Sequence, residues 1–203
     1  KVPLEKAVEI ISGQNGNNSV RVSNEFMEGV ESDGTYSTRG RVDPSVEKEL
    51  KNREIFEKIA MAAHACGDPG LQFDDTINEW HTCPEDGSID ASNPCSEYMF
   101  LDDSACNLAS INLRKVQNEG GGINLDALDH TTRVMITAQE ILVDKSSYPG
   151  KKIAENSHKF RPLGLGFANL GALLMTEGLP YDSDDGRAMA AAIMANITGE
   201  AYA

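Results

Sequence analysis

The sequence predicts an α/β protein built from parallel strands with helical crossovers. Long runs with helical spacing alternate with short apolar runs of strand length, and Gly, Pro and Asp clusters separate them. Over 203 residues the composition is 40% hydrophobic and 25% charged, as in a soluble globular domain. Taken in order, 4–11 is an apolar, partly charged segment, and 12–19 is a loop by its Ser, Gly and Asn content. Val20-Arg21-Val22 reads as a short strand. Ser23 and Asn24 are N-caps for a helix from Glu25 to Val30, closed by Asp33-Gly34.

Pro44 to Ala65 reads as one long helix, with Asp43 as N-cap, Pro44 at the first position and Leu50, Phe56, Ile59 and Ala63 at helical spacing. Gly67-Asp68-Pro69-Gly70 ends it. Leu71-Gln72-Phe73 reads as a buried strand entering a long polar connection from Asp74 to Ser92. Tyr98 to Leu101 and Leu108 to Leu113 are apolar segments, fitting a hairpin or consecutive strands. Gly120-Gly121-Gly122 breaks the chain. Leu125 to Val143 predicts a helix with Leu128, Met135, Ile136 and Leu142 on one side. Leu163 to Met175 starts as a Gly-punctuated strand and becomes a helix, and Asp182 to Ala203 is a final helix with an acidic first turn.

The net charge of −14 argues against a nucleic-acid surface, which needs clustered Lys and Arg. No apolar run approaches the roughly 20 residues of a membrane span. The start Lys1-Val2-Pro3 shows no initiator Met and no signal peptide, and the last helix runs to Ala203 without a capping residue. The expectation is a cytoplasmic chain that is an excerpt, truncated at both ends, of a longer protein. Cys66, Cys83, Cys95 and Cys106 are spaced by 17, 12 and 11 residues, with no Cys-x-x-Cys pair for a zinc ribbon. No metal site is expected. Cys66, Cys83 and His81 read as structural, and His64, His130 and His158 as solvated.

The segment most charged with chemistry is Asn93-Pro94-Cys95-Ser96-Glu97. It sets an amide, a thiol and a carboxylate at every second residue, which in extended backbone share one face. Straight, the row spans about 13 Å. Pro94 lacks a ladder donor and places the motif at a loop tip, where the three groups bunch around something the size of a sugar ring.

The longer string from Asn93 to Leu113 resembles the active-site finger loop of ribonucleotide reductases, in the adenosylcobalamin-dependent (class II) branch. The resemblance continues through Gly67 to Phe73, Thr76 to Cys83 and Arg161 to Gly171. It implies that residues 1–203 are a single partial domain, about half of a ten-stranded α/β barrel with an internal finger loop carrying the radical cysteine. The activity implied is reduction of ribonucleotides, with ribonucleoside diphosphates the expected substrate, to 2′-deoxyribonucleotides for DNA synthesis.

In that reading a thiyl radical on Cys95 takes the C3′ hydrogen, Glu97 accepts the 3′-hydroxyl proton as general base, and Asn93 orients the ribose hydroxyls. Ser92, Asn93, Pro94, Cys95, Ser96 and Glu97 are the expected substrate contacts. Cys106 is one half of a reductant pair whose partner cysteine lies upstream, renewed by a thioredoxin-like dithiol. By position Gly13, Gln14, Asn15, Gly16 and Asn17 match the specificity loop that reads the substrate base and through which dNTP and ATP effectors act. The implied cofactor is adenosylcobalamin, and a homodimer is among the assemblies the resemblance allows. Leu163-Gly164-Leu165-Gly166 fits close backbone packing better than a phosphate cradle. Two other readings stay open: a reductase of the di-iron or glycyl-radical class, and a non-enzymatic metal-binding module using the four cysteines.

Overall fold

The computed structural model of the chain describes residues 16–203. The apolar segment 4–11 and Gly13, Gln14 and Asn15 of the predicted specificity loop lie outside them. The chain divides into two compact units, the first ending at Asp102 and the second beginning at Asp103.

In the first unit, β1 (Ser19–Val22) pairs in parallel with β4 (Gly70–Phe73), bringing Arg21 opposite Gln72. Helix α1 (Asn24–Glu31) starts where the Ser23 hydroxyl accepts a hydrogen bond from the Phe26 N–H, as its sequence predicts. It buries Phe26 and Val30, which with Val22 form this unit's core against Ile55, Phe56 and Leu71.

No helix starts at Pro44, contrary to the expectation from its sequence. Thr35–Arg39 (β2) and Glu47–Lys51 (β3) form an antiparallel hairpin, and helix α2 runs only from Asn52 to Cys66. Asp43 is not an N-cap. Its carboxylate accepts from the Ser45 N–H at 3.0 Å and the Ser45 hydroxyl at 2.6 Å, closing the hairpin turn. Those bonds hold its pKa below the usual carboxylate value. An Asp-Pro-Ser sequence serves an Asx turn as well as a helix start, and the turn wins because Glu47 to Lys51 finds a strand partner.

Helix α2 starts at Asn52, which is 2% exposed and donates to the Phe26 carbonyl at 2.9 Å. That contact needs a glycine on α1: a Cβ at Gly29 would lie 2.3 Å from the Asn52 amide nitrogen. Gly67, at φ 86°, ends α2 in the left-handed conformation. The polar stretch after β4 is not all loop. It contains α3 (Asp74–Glu79) and a 3₁₀ turn at Pro84–Asp86.

In the second unit, β5 (Asn107–Asn112) and β6 (Leu163–Ala168) are again parallel, joined through α4 (Leu125–Lys145) and α5 (Lys151–Phe160). Helices α6 (Leu170–Thr176) and α7 (Asp184–Tyr202) follow, α7 capped by Ser183. The core joins Ile111, Leu113, Val116, Leu128, Leu173, Ile193 and Ile197. The buried stripe of α4 is Leu128, Thr132, Gln139 and Val143, whereas Leu142 is exposed. Gln139 is buried because its side chain donates to the carbonyls of Asn107 at 2.8 Å and Gly164 at 2.9 Å, clamping both strands to the helix. Leu128 is fully buried. Leu128→Ala is therefore expected to cost about 2–5 kcal/mol in denaturant unfolding.

Two parallel pairs, each with helices between its strands, confirm the α/β class. The described residues form three two-stranded sheets and close no barrel. Tyr98 to Leu101 is neither a strand nor half of a hairpin with β5; Met99 makes one isolated bridge to Ser92.

Candidate active site

The Asn93–Glu97 segment is a turn, as Pro94 predicts. The Ser96 N–H donates to the Asn93 carbonyl at 3.0 Å, so Pro94 and Cys95 occupy the two central positions. Cys95 is exposed at the apex. Ser96 follows at φ 63°, a left-handed conformation costing a non-glycine residue roughly 1–2 kcal/mol. Beyond it the Tyr98 N–H donates to the Asn93 side-chain oxygen at 2.9 Å, and the Ser92–Met99 bridge closes the loop base. Glu97 is exposed on the returning limb. The row of 93, 95 and 97 is thus bent at its middle residue.

The loop is held from below by side chains on β1 and β4. Gln72, 5% exposed, donates from its amide nitrogen to the Ser92 hydroxyl at 2.7 Å and to the Ser96 hydroxyl at 3.3 Å. Its amide oxygen accepts from Arg21 at 3.1 Å. The same guanidinium donates to Asp74 at 2.8 Å and to the Ile89 carbonyl at 2.7 Å. Asn78 on α3 pins Ile89 from the other side, accepting from its N–H at 2.8 Å. The entry to the loop and both flanks of its turn are fixed by one half-buried polar network centred on the buried Gln72.

A cleft of about 290 Å³ opens beside this network, lined by Asn17, Arg21, Gln72, Ser92, Asn93 and Pro94 among others. It brings Asn17, from the described end of the predicted specificity loop, to the first three predicted substrate contacts. Gly16, Cys95, Ser96 and Glu97 are not among its lining residues. Sequence reasoning missed Arg21 and Gln72 as site residues. The available signal was a polar residue at the centre of each of two short apolar strands, Val20-Arg21-Val22 and Leu71-Gln72-Phe73.

Cys106 belongs to the second unit, half-buried just before β5. Gly164 on β6 leaves room for its thiol: a Cβ there would lie 3.2 Å from the Cys106 sulfur and 2.5 Å from Leu108. This is the close packing expected of the Gly164 segment. No disulfide forms among the described residues. No group of three or more His, Cys, Asp and Glu that could hold a metal occurs among them either. No helix among them is long and apolar enough to cross a membrane.

The family model described as the ribonucleotide reductase barrel domain matches residues 2–203. A vitamin B12-dependent ribonucleotide reductase of Rhodopirellula baltica is 53% identical over 190 residues, covering 93% of this chain and 18% of its own length. One from Agrobacterium fabrum is 50% identical over 194 residues, covering 95% and 15%. A vitamin B12-dependent ribonucleoside-diphosphate reductase of Mycobacterium tuberculosis is 36% identical over 186 residues, covering 92% and 27%. The chain thus spans between 15% and 27% of the length of these relatives. Its match to the family model over nearly every residue decides the assignment: the chain belongs to the ribonucleotide reductase barrel-domain family.

Proposed function

We propose that this chain is the part of a vitamin B12-dependent ribonucleotide reductase that carries the radical cysteine, and that the whole cytoplasmic enzyme converts ribonucleoside diphosphates to 2′-deoxynucleotides. The observation that carries the reading is Cys95, exposed at the apex of a turn whose two sides hold Asn93 and Glu97. Both compact units are assigned to one ten-stranded barrel, with the turn at the tip of its finger loop; the run of the family model through both units supports this.

Adenosylcobalamin supplies a carbon-centred radical when bound. What this chemistry asks of the chain is an accessible thiol, and the exposed Cys95 meets that demand. A thiyl radical at Cys95 takes hydrogen from C3′ of the ribose. Glu97 accepts the 3′-hydroxyl proton, the 2′-hydroxyl leaves as water with a proton from the reductant thiols, and after reduction the Cys95 thiol returns its hydrogen to C3′. Asn93, its amide oxygen engaged by the Tyr98 N–H, meets the ribose through its amide N–H groups. Ser92, Pro94 and Ser96 shape the sugar site.

Two electrons come from Cys106 and a second cysteine, which close to a disulfide and are reopened by a thioredoxin-like dithiol. Asn17, lining the cleft with Ser92 to Pro94, supports base recognition by the 13–17 loop, with dNTP and ATP effectors acting through it. A homodimer is the proposed assembly.

The test is reduction of a ribonucleoside diphosphate by the full-length protein with a dithiol reductant. Product is expected only when adenosylcobalamin is added. Product formed with iron and oxygen in its place assigns the chain to the di-iron class instead.

A further inference from the structure

We propose that Gln72, backed by Arg21, is a positioning residue for the radical cysteine: it sets the shape of the Asn93–Glu97 turn by donating to the hydroxyls on both sides of Cys95. The inference rests on the function proposed above and goes beyond it, because Gln72 is not part of the motif and meets neither the thiol nor the carboxylate. Three observations carry it. Gln72 is buried and bridges Ser92 and Ser96, the residues flanking the turn. Ser96 holds a left-handed conformation that needs support from its surroundings. Arg21, opposite Gln72 in the parallel register, fixes the amide orientation by donating to its oxygen, so the nitrogen must face the loop.

The polarity of these bonds is also fixed. The Gln72 amide nitrogen can only donate, so the Ser92 hydroxyl accepts from it and keeps its own proton for the Asn93 carbonyl at 2.8 Å or the Ser96 hydroxyl at 3.4 Å. A carboxylate at 72 has no proton to give. It would pair well with Arg21 yet compete for the Ser92 proton, taking one of the two donors from the Asn93 carbonyl and leaving the turn held there by the Ser96 N–H alone. Gln72→Glu therefore separates positioning from packing, since volume and burial hardly change.

In the full-length enzyme, Gln72→Glu is expected to lower kcat by about 10- to 100-fold, as for misplacement of a reacting group by about an ångström, with KM within about threefold of wild type. Thermal unfolding is expected to stay close to wild type. Gln72→Met, similar in size and without donors, decides by the same criterion if Gln72→Glu does not fold. A kcat within about threefold of wild type in a folded variant overturns the inference. So does loss of the fold in both variants, which makes Gln72 a structural residue. Cys95→Ser, measured alongside, separates the two claims. If it is inactive while Gln72→Glu is normal, only the positioning role falls; if it is active, the radical-cysteine reading falls and takes the positioning role with it.

Discussion

Cys95→Ser in the full-length protein is expected to abolish ribonucleotide reduction, by at least about 10⁴-fold, the scale seen when a group that carries a reaction is removed. The substitution exchanges sulfur for oxygen at an exposed turn apex, where no packing depends on the difference. Folding and nucleotide binding should therefore survive. The chemistry should not, because a serine O–H bond is too strong to trade hydrogen with a ribose C–H, whereas an S–H bond is matched to it. Turnover within about tenfold of wild type, roughly 1.4 kcal/mol of barrier, would remove Cys95 from the reaction.

Cys106→Ser should separate the reductant from the radical carrier. Two electrons must enter the sugar for each hydroxyl lost, and a disulfide can form only from two thiols. The variant is expected to sustain no turnover on a thioredoxin-like dithiol while still activating the C3′–H bond. Gly164 makes this test clean, since the space it leaves beside the Cys106 sulfur takes a hydroxyl without strain. Normal dithiol-driven turnover would return Cys106 to a packing role ahead of β5.

What could be read from the sequence was what local chemistry decides. Pro94 reports a turn through its own backbone, Ser23 and Gly67 report the ends of α1 and α2, and the structure places all three as expected. The hairpin at Thr35 to Lys51 was hidden because Asp43-Pro44-Ser45 suits two backbone outcomes, and only pairing with a polar strand chooses between them. Helix α5 was hidden by Lys, Glu and His residues, its one fully buried side chain being Ser157. The support beneath the active-site turn was least visible of all. Arg21 and Gln72 meet 51 residues apart through a strand register that no local pattern encodes. The motif names the reacting groups, and the tertiary fold supplies what orients them.

Tritium placed at C3′ of the ribonucleotide follows the hydrogen that Cys95 is proposed to take. A label moved to sulfur exchanges with water, because S–H protons are labile and carbon-bound ones are not. During turnover of the full-length enzyme, wild type should release part of the label to solvent. Cys106→Ser should still release it, and Cys95→Ser should release none. Release from Cys95→Ser at the wild-type rate would contradict the assignment of Cys95 as the residue that opens the C3′–H bond.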